Sequence, residues 1–587
     1  MIRVTRKLFK ILTARQKRRL SIIFLMMLIG GLLESLSVSL ILPLITAIMN
    51  ENTWNDKWYA KIICDFFRID SKLHYIQVLL VVLIVLFVVK NLYLLFQIYI
   101  QNTFMSSTNF KMRRGLVHVY LYKPYEFFLN SSSGEILRII SGDTSQAFNL
   151  LTTAMGFYTE MIVAVILAIT IICMSWQIAL SMIGILLVEM LIITKVIKPW
   201  MKTMGTRQRI ENAASYKWLL QSLNGIKSIK VANNEKYFED RYIYHESISV
   251  DITRKNVTII NIPRLLIEAF TVSGVLSILL VLISTGTNVI DIIPQLSAFM
   301  VAAIRLLPSV NRIMGYYNGI PYMEGALDNI IELLESQDLE ILSGEKQVSQ
   351  EDDNNKEGKR ITFNKSIRFN HISFKYKKEN DSAVIFDEAD FEILPGQSIG
   401  LVGASGAGKT TAVDLILGLL KPDRGDILVD GVNIEENMAG WLTHVAYIPQ
   451  SIFLLDDSIK ANITFGRNAS EISDEQVWKA IQDAKLEEFV QSLPKGIDTQ
   501  IGEAGVRLSG GQKQRIGIAR ALYSNPEILF FDEATSALDN ETEAAIMESI
   551  NSLKGRKTMI IIAHRLTTIE NCDVVYRVRD GKVVREK

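Results

Sequence analysis

Six apolar stretches, at roughly 20–49, 75–100, 151–174, 178–198, 263–284 and 292–315, crowd the N-terminal half of the chain, and nothing comparable follows them. Each can supply the ~20 mostly apolar residues that an α-helix needs to cross a bilayer. Backbone in hydrocarbon must satisfy its own hydrogen bonds, so this half is restricted to a bundle of spanning helices. At 587 residues and 49% apolar composition, the chain has room for the bundle and at least one further domain.

The flanks of these stretches orient them. The first is too long for a signal-peptide core and lacks a small-residue cleavage site, so it reads as a retained span. Before it stand Arg3, Arg6, Lys7, Lys10, Arg15, Lys17, Arg18 and Arg19 with no acid among them, which places the N-terminus on the cytoplasmic side. The connections "SWQ" (175–177) and "TGTNVID" (285–291) are short and lack Lys and Arg, as outer turns would be. An even number of spans then returns the chain to the cytoplasm, making a multi-pass protein of the cell inner membrane with a cytoplasmic C-terminal domain.

The inner connections, 101–150 and 199–262, are long, polar and helical in pattern, so the spans are expected to continue below the membrane. Turn-like breaks within "YKPYEFFLNSSSGEILRIISGDTSQ" and "LLQSLNGIKSIKVANNEKYFEDRY" suggest a short crosswise helix in each, suited to contact with a cytoplasmic domain. The charged segment 336–360 reads as a linker. From Ile361 short strand-like runs alternate with helical ones to the end, the pattern of an α/β domain. The expected division is therefore a membrane domain over 1–335, a linker over 336–360 and an α/β domain over 361–587. A net charge of +1 leaves no electrostatic footprint for nucleic acid. Cys64, Cys173 and Cys572 lie too far apart for a metal-ligand pattern.

"GASGAGKTT" comprises Gly403, Ala404, Ser405, Gly406, Ala407, Gly408, Lys409, Thr410 and Thr411. It follows the strand-like "SIGLVG" and precedes the helical "AVDLILGLL", the context that a phosphate-binding loop requires. Its glycines let backbone N–H groups close around phosphate oxygens at a helix N-terminus. Lys409 is placed to reach the β- and γ-phosphates of ATP, and the Thr410 hydroxyl to ligate Mg²⁺. In "EILFFDEATSALD" (527–539) a buried strand ends on Asp532, a second Mg²⁺ group, and Glu533 follows as the candidate general base toward water.

"LSGGQKQR" (508–515) decides the family resemblance. With the loop and strand above, it makes the chain resemble the ATP-binding-cassette (ABC) transporters over essentially its whole length. The resemblance implies that Ser509, Gly510, Gly511 and Gln512 contact the γ-phosphate held by a second cassette, so that catalysis needs two cassettes head to tail. It likewise implies that Tyr376 stacks on adenine, Gln450 senses Mg²⁺ and water, Ser536–Asp539 crosses the dimer interface and His564 contacts the γ-phosphate. No catalytic position is degenerate, which favours a homodimer with two working ATP sites. Six spans ahead of the cassette resemble the exporter architecture, in which the two crosswise segments dock on the cassettes near Gln450.

Charges within the spans bear on what is moved. Arg305 and Arg312 fall with Ser309 on one face of "FMVAAIRLLPSVNRIMGYY" (299–317), where Pro308 should weaken the helix. Lys90 and Arg264 are further basic residues; Glu34, Glu189 and Glu268 are available to neutralise them. The other arrangement is a positive cavity that meets an anionic headgroup such as pyrophosphate. Arg312, nearer the inner face, is expected to meet lipid phosphates. Outside, Trp54, Trp58, Tyr59, Ile62, Ile63, Phe66 and Phe67 recur at helical spacing, an amphipathic helix suited to the membrane surface or a lipid tail.

Within the exporters this combination resembles the bacterial flippases of lipid-linked oligosaccharides. The resemblance implies that Lys90, Arg264 and Arg305 line the cavity and meet the pyrophosphate, with Lys90 standing where an arginine is expected. Exporters of drugs, peptides or lipid A-like glycolipid remain the alternative. A nucleotide-gated channel or regulatory membrane ATPase would more often carry a degenerate cassette or an added domain.

Overall fold

The computed structural model describes residues 1–40, 44, 47, 48, 61, 64, 65, 71–174, 176–284, 289–335, 361–376, 384–502, 505–532, 547, 548, 550–562 and 571–587, with parts of the helices between 170 and 198 and between 271 and 305 described by backbone alone. The outer segment 54–68 falls almost entirely outside these residues, as does the linker 336–360. The chain divides into two compact units, one of residues 1–123 and 131–347, the other of residues 124–130 and 348–587.

The first unit is helical. A short amphipathic helix, α1 (Ile2–Lys10), buries Val4 and Leu8 at helical spacing and leaves Arg3, Arg6 and Lys10 outside. It is tied down by Lys7, whose Nζ lies 2.9 Å from Glu324 and 2.6 Å from Asp328. α2 (Ala14–Ser39) begins at a reciprocal cap: the Gln16 N–H donates to Thr13 Oγ1 at 3.3 Å, and the Thr13 N–H donates to Gln16 Oε1 at 2.9 Å. Four more long helices follow, α3 (Lys72–Leu121), α5 (Thr144–Met174), α6 (Trp176–Asn224) and α8 (Glu235–Ser284), then a last one, α9 (Val289–Glu335).

α3, α6, α8 and α9 run 47 to 50 residues, well beyond the ~20 that a bilayer requires, so the expected helical continuations are present. Both inner connections contain the expected short helix, α4 (Tyr125–Asn130) and α7 (Ile226–Ala232). α7 is closed by Asn233 in the left-handed region, φ 52°, and by a Lys230–Glu235 pair at 2.9 Å. Where the first connection rejoins the bundle, buried Asp143 accepts from Asn329 Nδ2 of α9 at 2.7 Å and lies 3.7 Å from Arg138.

α9 runs on through Pro308, as spanning helices can, although the proline still removes one backbone hydrogen bond there.

In the second unit, a six-stranded sheet has the order β10-β9-β3-β8-β7-β6, using β3 (Ser398–Val402), β6 (Val445–Ile448), β7 (Ile528–Asp532), β8 (Thr558–Ile562), β9 (Val574–Arg579) and β10 (Lys582–Arg585). All its pairings are parallel except the edge hairpin β9–β10. β3, β7 and β8 are buried along their full length, which is why "SIGLV", "ILFFD" and "TMIII" read as continuous rather than alternating runs. A four-stranded antiparallel sheet, β2-β1-β4-β5, stands beside it, formed by β1 (Ile367–Lys375), β2 (Val384–Ile393), β4 (Arg424–Val429) and β5 (Val432–Asn433). Segment 124–130, with α4, clusters with this unit.

Candidate nucleotide-binding site

The loop between β3 and α10 (Lys409–Ile416) is shaped for phosphate. Gly408 adopts φ 104°, and a Cβ there would lie 2.6 Å from Ile385 Cγ2; a Cβ on Gly403 would lie 2.5 Å from the Val578 carbonyl oxygen. The loop can therefore pack this closely only as bare backbone, leaving its N–H groups to face a ligand. Lys409 is 6% exposed and donates to the carbonyls of Gly403 at 3.0 Å and Ala404 at 2.9 Å. Ala404, Ser405, Gly406 and Thr410 are exposed, Ala407 is half-buried and Thr411 is buried. Tyr376 is half-buried, edge-on to Phe374, with its hydroxyl 3.2 Å from Thr411 Oγ1.

The far wall comes from the adjacent strands. Asp532 ends β7, nearly buried, and accepts from the Tyr447 hydroxyl of β6 at 3.0 Å. Asp414, on α10, is buried close by. That burial and the Asp532 charge push its carboxyl up to about 6, so the site holds more negative charge than its surroundings favour. Thr410 and Asp532 offer oxygen ligands only, a donor set that fits a hard divalent cation such as Mg²⁺. Gln450 stands two residues beyond β6 and is exposed. Burial likewise raises the Tyr125 hydroxyl of α4, with Asp414 and Tyr376 as its electrostatic neighbours.

The serine motif begins α11 (Gly510–Tyr523). The Gln512 N–H donates to Ser509 Oγ at 3.3 Å and the Ser509 N–H donates back to Gln512 Oε1 at 2.8 Å, a complete capping box. Gly510 is exposed and Gly511 buried under the first turn. Glu533, Ser536–Asp539 and His564 lie outside the described residues.

Comparison with known proteins fits this geometry. Residues 20–304 match the family "ABC transporter transmembrane region", and residues 386–536 match "ABC transporter". An ATP-dependent lipid A-core flippase of Saccharophagus degradans is 30% identical over 503 residues, 83% of this chain and 80% of that protein. The chain is an ABC transporter. A multidrug resistance ABC transporter ATP-binding and permease protein of Lactococcus lactis is 28% identical, covering 79% of this chain and 76% of its own length. The solved structure of a bacterial Atm1-family ABC exporter with ATP bound superposes with a TM-score of 0.73 at 22% identity, over 98% of this chain and 95% of the other. The transporter thus has the exporter-type membrane domain fused to a nucleotide-binding cassette, and it is an integral membrane ATPase that couples ATP hydrolysis to transport.

In the transporter's membrane unit, Lys90 of α3 is 6% exposed, with Nζ 4.7 Å over the Phe87 ring. Arg264 of α8 is exposed; Arg305 belongs to α9, its side chain outside the described residues. Arg312 Nε lies 2.6 Å from Oε1 of Glu160 on α5, a pairing within the bundle for a side chain that stays 47% exposed. Glu160, Asp414 and Tyr447 escape sequence reasoning. The only signals were an acid inside an apolar run for Glu160 and, for Asp414, its place one turn beyond Lys409.

Proposed function

We propose that the transporter flips a lipid-linked oligosaccharide, a polyprenyl-pyrophosphate glycan, across the cytoplasmic membrane, working as a homodimer with two complete ATP sites. The observation that carries the substrate reading is the set of three basic residues, Lys90, Arg264 and Arg305, on three different helices of the membrane unit. Guanidinium groups bind phosphate oxygens in pairs, and charge inside a membrane domain is retained for a ligand or a partner. The lipid A-core named for one relative is the nearest rival substrate.

In the cassette, Lys409 and the loop backbone hold the β- and γ-phosphates and Tyr376 stacks on adenine. Thr410, Asp532 and Gln450 hold Mg²⁺, which neutralises phosphate charge. Glu533 takes a proton from the attacking water and His564 contacts the γ-phosphate, while Ser509 to Gln512 meet the nucleotide on the opposite cassette. The domains divide as 1–335, 336–360 and 361–587, with the N-terminus and cassette in the cytoplasm.

ATP-dependent flipping of a polyprenyl-pyrophosphate oligosaccharide in proteoliposomes tests this reading. Flipping that collapses in Arg305→Ala with basal ATPase retained supports both the substrate and the arginine. A wild type that hydrolyses ATP but moves no such lipid overturns the substrate.

A further inference from the structure

A cavity of about 390 Å³ opens between α1, α2 and α5, within the ~300–1,000 Å³ range of small-molecule sites. Its walls are Leu8 and Leu12 on one side, Phe24 and Met27 on the second, and Ala154 and Met155 on the third. The few hydroxyls that reach it bond within the protein. Thr5 Oγ1 and Tyr158 Oη lie 2.7 Å apart, and Ser21 Oγ donates to the Lys17 carbonyl at 3.1 Å. An occupant thus meets an apolar wall with its polar groups already engaged, which favours a hydrocarbon chain.

The surroundings place this cavity at the edge of the bilayer. Along α2, exposed Arg18 and Arg19 give way within one turn to exposed Ile22 and Leu25, so the boundary between headgroups and acyl chains passes through residues 19–22. Ser21 and Phe24, at that level, line the cavity. Lys17 and Arg18 stand one turn before Ser21 on the same helical face. The nearby Lys7 is already paired to Glu324 and Asp328.

We propose that this cavity binds an anionic glycerophospholipid from the leaflet nearest the N-terminus, with one acyl chain inside and the phosphate at Lys17 and Arg18. The site is separate from the nucleotide loop and from the basic residues assigned to the transported substrate.

Native mass spectrometry of the full-length protein in detergent, with equimolar phosphatidylglycerol and phosphatidylcholine, tests it. Two basic residues at a membrane surface predict roughly a thirtyfold preference for the anionic lipid. Ser21→Trp, which blocks the mouth from an exposed position, abolishes retention of either lipid, while Lys17→Glu with Arg18→Glu keeps retention and removes the preference. Should the tryptophan prevent folding, Ser21→Leu narrows the same mouth. Equal retention by wild type and the folded Ser21 variant overturns the cavity; equal retention of the two lipids by wild type overturns the headgroup assignment.

Discussion

The hydroxyl of Tyr447 donates to Oδ2 of Asp532 across 3.0 Å, from a strand position opposite Phe530. The bond fixes the rotation of a carboxylate proposed to hold Mg²⁺, so Tyr447 would act on the metal through Asp532. Burial, with Asp532 next, raises the phenol above its usual range and keeps it a donor. Tyr447→Phe removes the bond and keeps the ring, at about 1 kcal/mol. It is expected to raise the Mg²⁺ concentration needed for half-maximal ATPase and to weaken Mn²⁺ binding, read by electron paramagnetic resonance, each by about fivefold. Unchanged Mn²⁺ affinity would remove Tyr447 from this role.

Asp414 gives a pH-dependent test. Its carboxyl is raised from 3.8 to about 6 by burial and by Asp532, so the native state holds this proton more tightly than the unfolded chain. The resulting penalty is absent below about pH 4, grows between pH 4 and 6, and is complete above that window. Asp414→Asn should stabilise the magnesium-free cassette above pH 6 by on the order of 1 kcal/mol, after allowance for solvent screening. The gain should vanish near pH 4. Thermal unfolding across this range in full-length protein decides it; a gain independent of pH would point to packing instead.

Glu533→Gln is expected to bind ATP and lose ~10²–10⁴-fold in turnover, the usual contribution of a general base. Near-normal hydrolysis would defeat that role, which rests on the position of Glu533 immediately after the strand that ends at Asp532.

The Arg312–Glu160 pair predicts coupling between α9 and α5. Glu160 is 14% exposed and Arg312 47%, so removing the acid leaves a partly desolvated cation. A double-mutant cycle with Glu160→Gln and Arg312→Gln should give an interaction of about 1–2 kcal/mol in unfolding measurements. A value near zero would make the pair incidental.

How much of this was legible in the sequence follows from the range of each interaction. The phosphate loop and the serine motif are each contiguous in sequence, and each stands at a helix start as expected. The long helices and their inner extensions were readable from hydropathy, and the short helices α4 and α7 from small breaks in polar helical runs. Tyr447 and Asp532 are 85 residues apart, and only the strand order brings them together; no local pattern encodes that order. The Arg312–Glu160 pair is hidden for the same reason, because the two residues sit on different helices.

Ser509 carries one further consequence. Its Oγ accepts from the Gln512 N–H while its own hydroxyl hydrogen can still donate, so the capping box already restricts the rotamer of this side chain before any partner arrives. Joining two cassettes around nucleotide then costs little side-chain entropy at this contact. Gln512, which need not touch the phosphate to matter, becomes a control on how readily the halves meet: loosening it should slow their nucleotide-driven association while leaving each half's own hold on ATP intact.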